Sequence, residues 1–184
     1  LQEGIFFPDT YFYLKDETFS SILIRSHEAW KTTSESLWQE RQDNLPFTKL
    51  EEAATLAPII EKEGLEKRMI AGVFINRLKK GMPLQTDPTV IYGITKGKEI
   101  LGRGLRRSEL RKDTPWNTYL REGLPPTPIA NPGEESIFAA LNPENTNFIF
   151  FVADGTGGHS FATTLTDHNK NVAKWRAIEK NSKD

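Results

Sequence analysis

A chain of 184 residues has room for one domain with a real hydrophobic core and none for a second large one. Its 24 basic and 25 acidic side chains nearly cancel, to a formal net charge of -1, so no surface-wide field attracts a polyanion and nucleic acid is not an expected partner. The lack of cysteine excludes disulfides, thiolate metal sites and cysteine nucleophiles; the three histidines, His27, His159 and His168, form no close ligand pair, so no metal and no other cofactor is expected.

The opening Ile5–Tyr13 stretch is extended or turn-like, because Pro8 disfavours helix around it. Its aromatics read either as a flap on the core, which is the stronger reading, or as a wall that stacks on sugars. Apolar residues from Phe19 to Trp38 recur at helical spacing, which predicts a helix over 18–42 with Thr18 as its cap. A second helix is expected from Thr48, where Thr48-Lys49-Leu50-Glu51 has the form of a capping box. It runs towards Glu63, with Pro58 expected to kink it and Gly64 to allow a break. A third helix over 66–79 should turn Met69, Ile70, Val73, Phe74 and Leu78 inward and stop at Gly81.

Asp87-Pro88 reads as a cap followed by proline at the first helical position, opening a short helix. Residues 95–130 are mostly loop, and so long an irregular stretch in a compact domain is usually functional. A helix follows from Asn131-Pro132-Gly133-Glu134 and ends before Asn142. Phe148–Ala153 and His159–Thr164 read as two strands joined by the glycine-rich turn Asp154–Gly158. Asp167 is expected to cap a last helix to about Glu179. The order gives an α+β class: a mostly helical domain with a small antiparallel β-hairpin.

Four places carry polar groups suited to chemistry. Glu63 follows Ile60 by three residues and extends the edge of an apolar stripe through Ala53, Leu56 and Ile60. A carboxyl there could be desolvated and keep its proton near neutrality, as a general acid requires. From the residues alone, a pair of solvated helix-end glutamates, Glu61 and Glu63, is the stronger reading. Gln85, Thr86 and Asp87 bring amide, hydroxyl and carboxylate within three positions, which suits sugar hydroxyls, though Asp87 is also explained as a cap. Asn117 and Tyr119 precede the proline-rich 123–132 loop, which is either a stiff ligand wall or a rigid connector. Asp154 and His159 flank the glycine-rich turn; it lacks the phosphate-loop pattern and reads as a hairpin turn beside a cleft.

These features, in this order, resemble the YceG-like family. The strings that carry the resemblance are Ile59-Ile60-Glu61-Lys62-Glu63, Ala71-Gly72-Val73-Phe74-Ile75-Asn76-Arg77-Leu78, Leu84-Gln85-Thr86-Asp87-Pro88-Thr89 and Asn117-Thr118-Tyr119. Gly123-Leu124-Pro125-Pro126, Pro128–Gly133 and Phe151–His159 follow, and Phe7-Pro8-Asp9-Thr10-Tyr11 looks like the start of the family's catalytic region. Gly64 stands where the family often has threonine or alanine, Pro58 where a small residue such as serine is common, and Trp116 where tyrosine is frequent.

The resemblance implies a catalytic domain over residues 1–184. It would cleave within peptidoglycan glycan strands as a lytic transglycosylase, beside the peptidoglycan synthases, on the outer side of a bacterial inner membrane. No stretch here approaches the ~20 apolar residues that span a bilayer, no signal peptide is visible, and the chain opens on Leu1 rather than Met. We therefore expect the family's membrane anchor and most of its LysM-like region to lie upstream. Glu63 matches the family's catalytic glutamate, with Glu61 as the fallback. Gln85, Thr86, Asp87, Asn117, Tyr119, Asp154 and His159 are the expected saccharide contacts. A water-adding muramidase, with Asp87 or Asp154 as second carboxylate, and a non-catalytic glycan-binding module are the alternatives.

Overall fold

The structure is a computed structural model that describes residues 3–181. Helix α1 spans Phe19–Gln39, with the Thr18 hydroxyl accepting the Ser21 amide as expected of a cap. Ser26, Trp30 and Ser34, spaced by four, form its buried face.

Helix α2 spans Leu50–Glu63, starting two residues later than the sequence suggests. The capping carboxylate is Glu52, not Glu51: it accepts the amides of Thr48 and Lys49 at 2.7 and 3.2 Å. The helix runs unbroken through Pro58, and every residue from Ala53 to Ile60 is buried. The single apolar stripe read from the sequence is thus part of a helix buried on all sides, which is the position of a core helix. It leaves the core only at Glu61, which is half-buried.

Helix α3 spans Lys67–Lys79 and ends at Gly81, whose φ of +64° only glycine adopts readily. Helices α4 (Asp87–Thr95), α5 (Arg107–Leu110) and α6 (Glu134–Leu141) follow. Thr86 rather than Asp87 is the cap of α4, with Asp87 its first residue and Pro88 next, where a missing N–H costs nothing. The core lies where α2, α3 and α6 meet: Leu56, Ile60, Ile70, Val73, Ile137 and Leu141 are fully buried. Apolar burial at about 25 cal/mol per Å² is what holds these three helices together.

The hairpin pairs β1 (Phe150–Ala153) with β2 (His159–Ala162), Phe150 opposite Ala162 and Ala153 opposite His159. Both strands are shorter than the sequence suggests, and β1 is half-buried, not buried. Phe151 meets Phe74 of α3 edge-on at 5.7 Å, while Phe150 stacks on His168 at 5.0 Å, and both rings line an open cleft. His168 belongs to α7 (Leu165–Asn181), which covers the hairpin. The cap of α7 is Thr164, whose hydroxyl accepts the Asp167 amide at 3.1 Å, so Asp167 does not hold the place expected of it. Mostly helices with one small antiparallel sheet is the α+β arrangement expected. The opening aromatics divide: Ile5 and Phe7 pack against the core, whereas Phe12, Tyr13 and Leu14 are exposed.

Candidate functional site

Glu63 is the last residue of α2, where the buried helix reaches the wall of a cleft of about 470 Å³. Arg77, Gln85, Asp87, Tyr119, Phe150 and His159 line the cleft with it. Three devices hold its surroundings. Gly64 continues in extended conformation and brings the His159 ring so close that a Cβ there would lie 2.6 Å from Cε1. Gly64, one of the three departures noted in the sequence, is therefore the residue that admits the imidazole.

Thr86, 1% exposed, donates its hydroxyl to Glu63 Oε1. Thr86 is itself fixed: its amide donates to Thr118 Oγ1 at 3.2 Å, and Thr118 Oγ1 shares a 2.8 Å hydrogen bond with Thr89. Gln85, just before it, has φ +54°, a left-handed conformation that costs energy for a residue with a side chain. Its amide donates to Thr118 O at 3.0 Å and its Oε1 accepts from Arg77 at 3.3 Å, which together hold it there.

The third device is the loop after α5. Asn117 is fully buried. Its Nδ2 donates to the carbonyls of Leu110 and Lys112, and its Oδ1 accepts the Tyr119 amide at 2.9 Å. All of its amide is thus committed to backbone, so Asn117 shapes the loop and does not face the cleft. What it positions is Tyr119, whose hydroxyl donates to Asp87 Oδ1 at 2.7 Å. Asp87 is thereby engaged by a phenol rather than by helix amides, the role its sequence suggested. Trp116 Nε1 donates to Thr127 Oγ1 at 3.0 Å and ties the proline-rich segment to the same loop.

Electrostatics follow from this packing. Burial pushes the Glu63 carboxyl above its ordinary value, and the Asp87 charge adds to the rise; the Thr86 hydroxyl and His159 oppose it. Burial and the bond to Asp87 push the Tyr119 phenol well above its usual value, so it acts as a neutral donor. His159 is held from the other side: Glu66 accepts its amide and pairs with its Nδ1, both at 2.8 Å. Burial pushes the Glu66 carboxyl up, but these bonds outweigh it and hold it low.

Two candidates from the sequence stand elsewhere. Asp154 Oδ1 accepts the Thr156 amide and hydroxyl at 2.7 and 2.8 Å and the Gly158 amide at 3.3 Å, so it closes the hairpin turn. Glu61 Oε2 accepts the Gly133 amide and the Ser136 hydroxyl at 2.8 and 2.9 Å, which satisfies the start of α6. The fallback acid thus points into a neighbouring helix end. The structure brings together Glu63, Gln85, Thr86, Asp87, Tyr119 and His159. Sequence reasoning missed Glu66, Arg77 and His168. Arg77 had a visible signal, a charge beside the apolar positions 73, 74 and 78; the other two had none.

Among the described residues no group of acidic residues and histidines could hold a metal ion, and no helix is long and apolar enough to cross a membrane. The profile of the YceG-like family matches residues 1–174. An endolytic murein transglycosylase of Bacillus subtilis (strain 168) is 41% identical over 177 residues, spanning 94% of this chain and 48% of that protein. An endolytic murein transglycosylase of Streptococcus pneumoniae (strain R6) is 34% identical over 181 residues, spanning 94% and 32%. The chain therefore covers about half or a third of these relatives' lengths. The crystal structure of a yceG-like protein from Listeria monocytogenes shares the fold at a TM-score of 0.78 and 35% identity, over 91% of this chain and 54% of that one.

Proposed function

The chain belongs to the YceG-like family, and from that premise we propose that it is the cleaving part of an endolytic peptidoglycan lytic transglycosylase. The observation that carries the reading is Glu63: a carboxyl, burial-shifted towards its protonated form, at the wall of an open cleft. Such a group can protonate the oxygen between N-acetylmuramic acid and N-acetylglucosamine. Positive charge then develops at the muramyl anomeric carbon. The resulting Glu63 carboxylate removes the proton of the C6 hydroxyl, whose oxygen closes onto that carbon. The product is a 1,6-anhydromuramyl end, the proton is back on Glu63, and no water is consumed. Thr86 fixes the carboxyl, while the Tyr119 hydroxyl, His159 and Gln85 supply polar contacts along the same wall.

The relatives' names support murein as the substrate. Peptidoglycan synthases as neighbours, and anchorage to the inner membrane with this domain on its outer face, belong to the same proposal for the whole protein.

Mass spectrometry of glycan digested by the wild type and by Glu63→Gln tests it. The expected result is anhydro-ended fragments from the wild type and a loss of at least about 10²-fold in the variant. Full activity of Glu63→Gln refutes the assignment. A hydrolytic second reading draws on Asp87, whose carboxylate lines the same cleft and could serve as the paired carboxyl of a hydrolase. Fragments heavier by one water would establish it instead.

A further inference from the structure

Arg77 lies on α3 at the wall of the cleft that holds Glu63, and it is only 7% exposed. Its Nε donates to the Ile149 carbonyl at 2.6 Å. Its Nη1 donates to the carbonyls of Pro83 and Leu84 at 3.1 and 2.8 Å and to Gln85 Oε1 at 3.3 Å. Every one of these acceptors is neutral, and Nη2 takes no part in the four bonds. Among the described residues Arg77 enters no ion pair. A buried cation without a counter-ion is costly, and carbonyls compensate it less well than a carboxylate would.

Burial and the Arg77 charge hold the neighbouring His168 below its ordinary value, so it stands beside the guanidinium as a neutral ring. The Arg77 guanidinium sits 5.2 Å from the Phe150 ring, and His168 stacks on that ring at 5.0 Å. Nδ1 of His168 is buried without a hydrogen-bond partner among the described residues. Leu165 and His168, from the first turn of α7, line the same space. Asp167 in that turn is exposed and engaged with Thr164 and Lys170. The acids of the cleft are Glu63, bonded to Thr86, and Asp87, bonded to Tyr119. Gln85, strained into φ +54°, meets the guanidinium through its Oε1.

We propose that the Arg77–His168 end of the cleft binds a carboxylate carried on the saccharide, and thereby fixes which sugar lies against Glu63. The inference rests on the saccharide reading above. A muramyl sugar bears an acidic lactyl substituent and a glucosamine does not, so a carboxylate receptor at one end of the cleft sets the register of an alternating strand. The same chemistry has two sources: the lactyl carboxylate itself, or the carboxylate of a peptide amide-linked to it. Guanidinium donors suit either, since a charge-assisted bond to a carboxylate is stronger than one to a neutral oxygen.

Because Arg77 also clamps three backbone carbonyls, the test changes the ligand and leaves the protein intact. The 184-residue chain, labelled for side-chain nitrogen and imidazole signals, is titrated with N-acetylmuramic acid, its lactyl methyl ester and N-acetylmuramyl-L-alanine. At least one of the two carboxylate-bearing sugars should shift the Arg77 and His168 signals and bind roughly tenfold tighter than the ester. The tighter of the two identifies the source of the carboxylate. Equal binding of all three, with a shift at His159 but none at Arg77, overturns the proposal and leaves the saccharide reading standing. No shift anywhere in the cleft with any of the three sinks both.

Discussion

Burial and the Asp87 charge raise the Glu63 pKa while the Thr86 hydroxyl lowers it, so the two neighbours should move the pH profile in opposite directions. Glu63 donates only when protonated, and its ionisation sets the alkaline limb of kcat/KM. Asp87→Asn removes a raising charge and should shift that limb to lower pH. Thr86→Val removes a lowering bond and should shift it to higher pH. Limbs that move together, or stay fixed, would show that another group controls the profile. The same shift has a consequence for stability. Glu63 ionises near 4.5 when unfolded and above that when folded, so between the two values the native state binds more protons. Its contribution to stability is fully present below the unfolded value and is lost as pH rises through the folded one. Glu63→Gln, which stays neutral, should therefore melt higher than wild type at pH 8, with the difference vanishing below pH 4. Thermal denaturation at the two pH values measures this.

At the scale of elements, the helix ends decide what the two glutamates of α2 do. Glu61 satisfies the start of α6 through Gly133 and Ser136. Its replacement by alanine should cost about 1 kcal/mol in urea unfolding, as lost caps do, with cleavage per folded molecule unchanged. A loss of activity beyond the loss of folded protein would return Glu61 to the candidate acids. Helix α3 makes a second, purely steric point. A Cβ at Gly72 would lie 2.6 Å from the Glu144 carbonyl oxygen, a backbone atom that cannot turn aside. Gly72→Ala gains about 1 kcal/mol of helix propensity, yet the overlap should cost more, for a net loss of about 1–3 kcal/mol in the same measurement.

For the molecule as a whole, core and cleft are carried by different parts of the chain. The fully buried side chains belong mainly to α2, α3 and α6, whereas α7 has no buried residue and rests on the hairpin. Leu165, His168 and Val172 of α7 nonetheless form one wall of the cleft. A chain ending at Thr164 should keep the helical circular dichroism of α1–α6 and lose glycan cleavage; retained cleavage would remove α7 from the site. The sequence by itself determined the order of helices and hairpin, the place of Glu63 at a helix end, and the grouping of Gln85, Thr86 and Asp87. These follow from local periodicity and from turn and cap chemistry, which act within a few residues. Tertiary structure alone decided that Glu61 serves α6, that Asn117 and Asp154 are spent on backbone, that Glu66 braces His159, and that Arg77 and His168 join the cleft. Those roles depend on contacts between residues far apart in the chain, such as the 93 positions from Glu66 to His159. Burial, which raises the Glu63 pKa, is likewise a property of what packs around a side chain rather than of its neighbours in sequence.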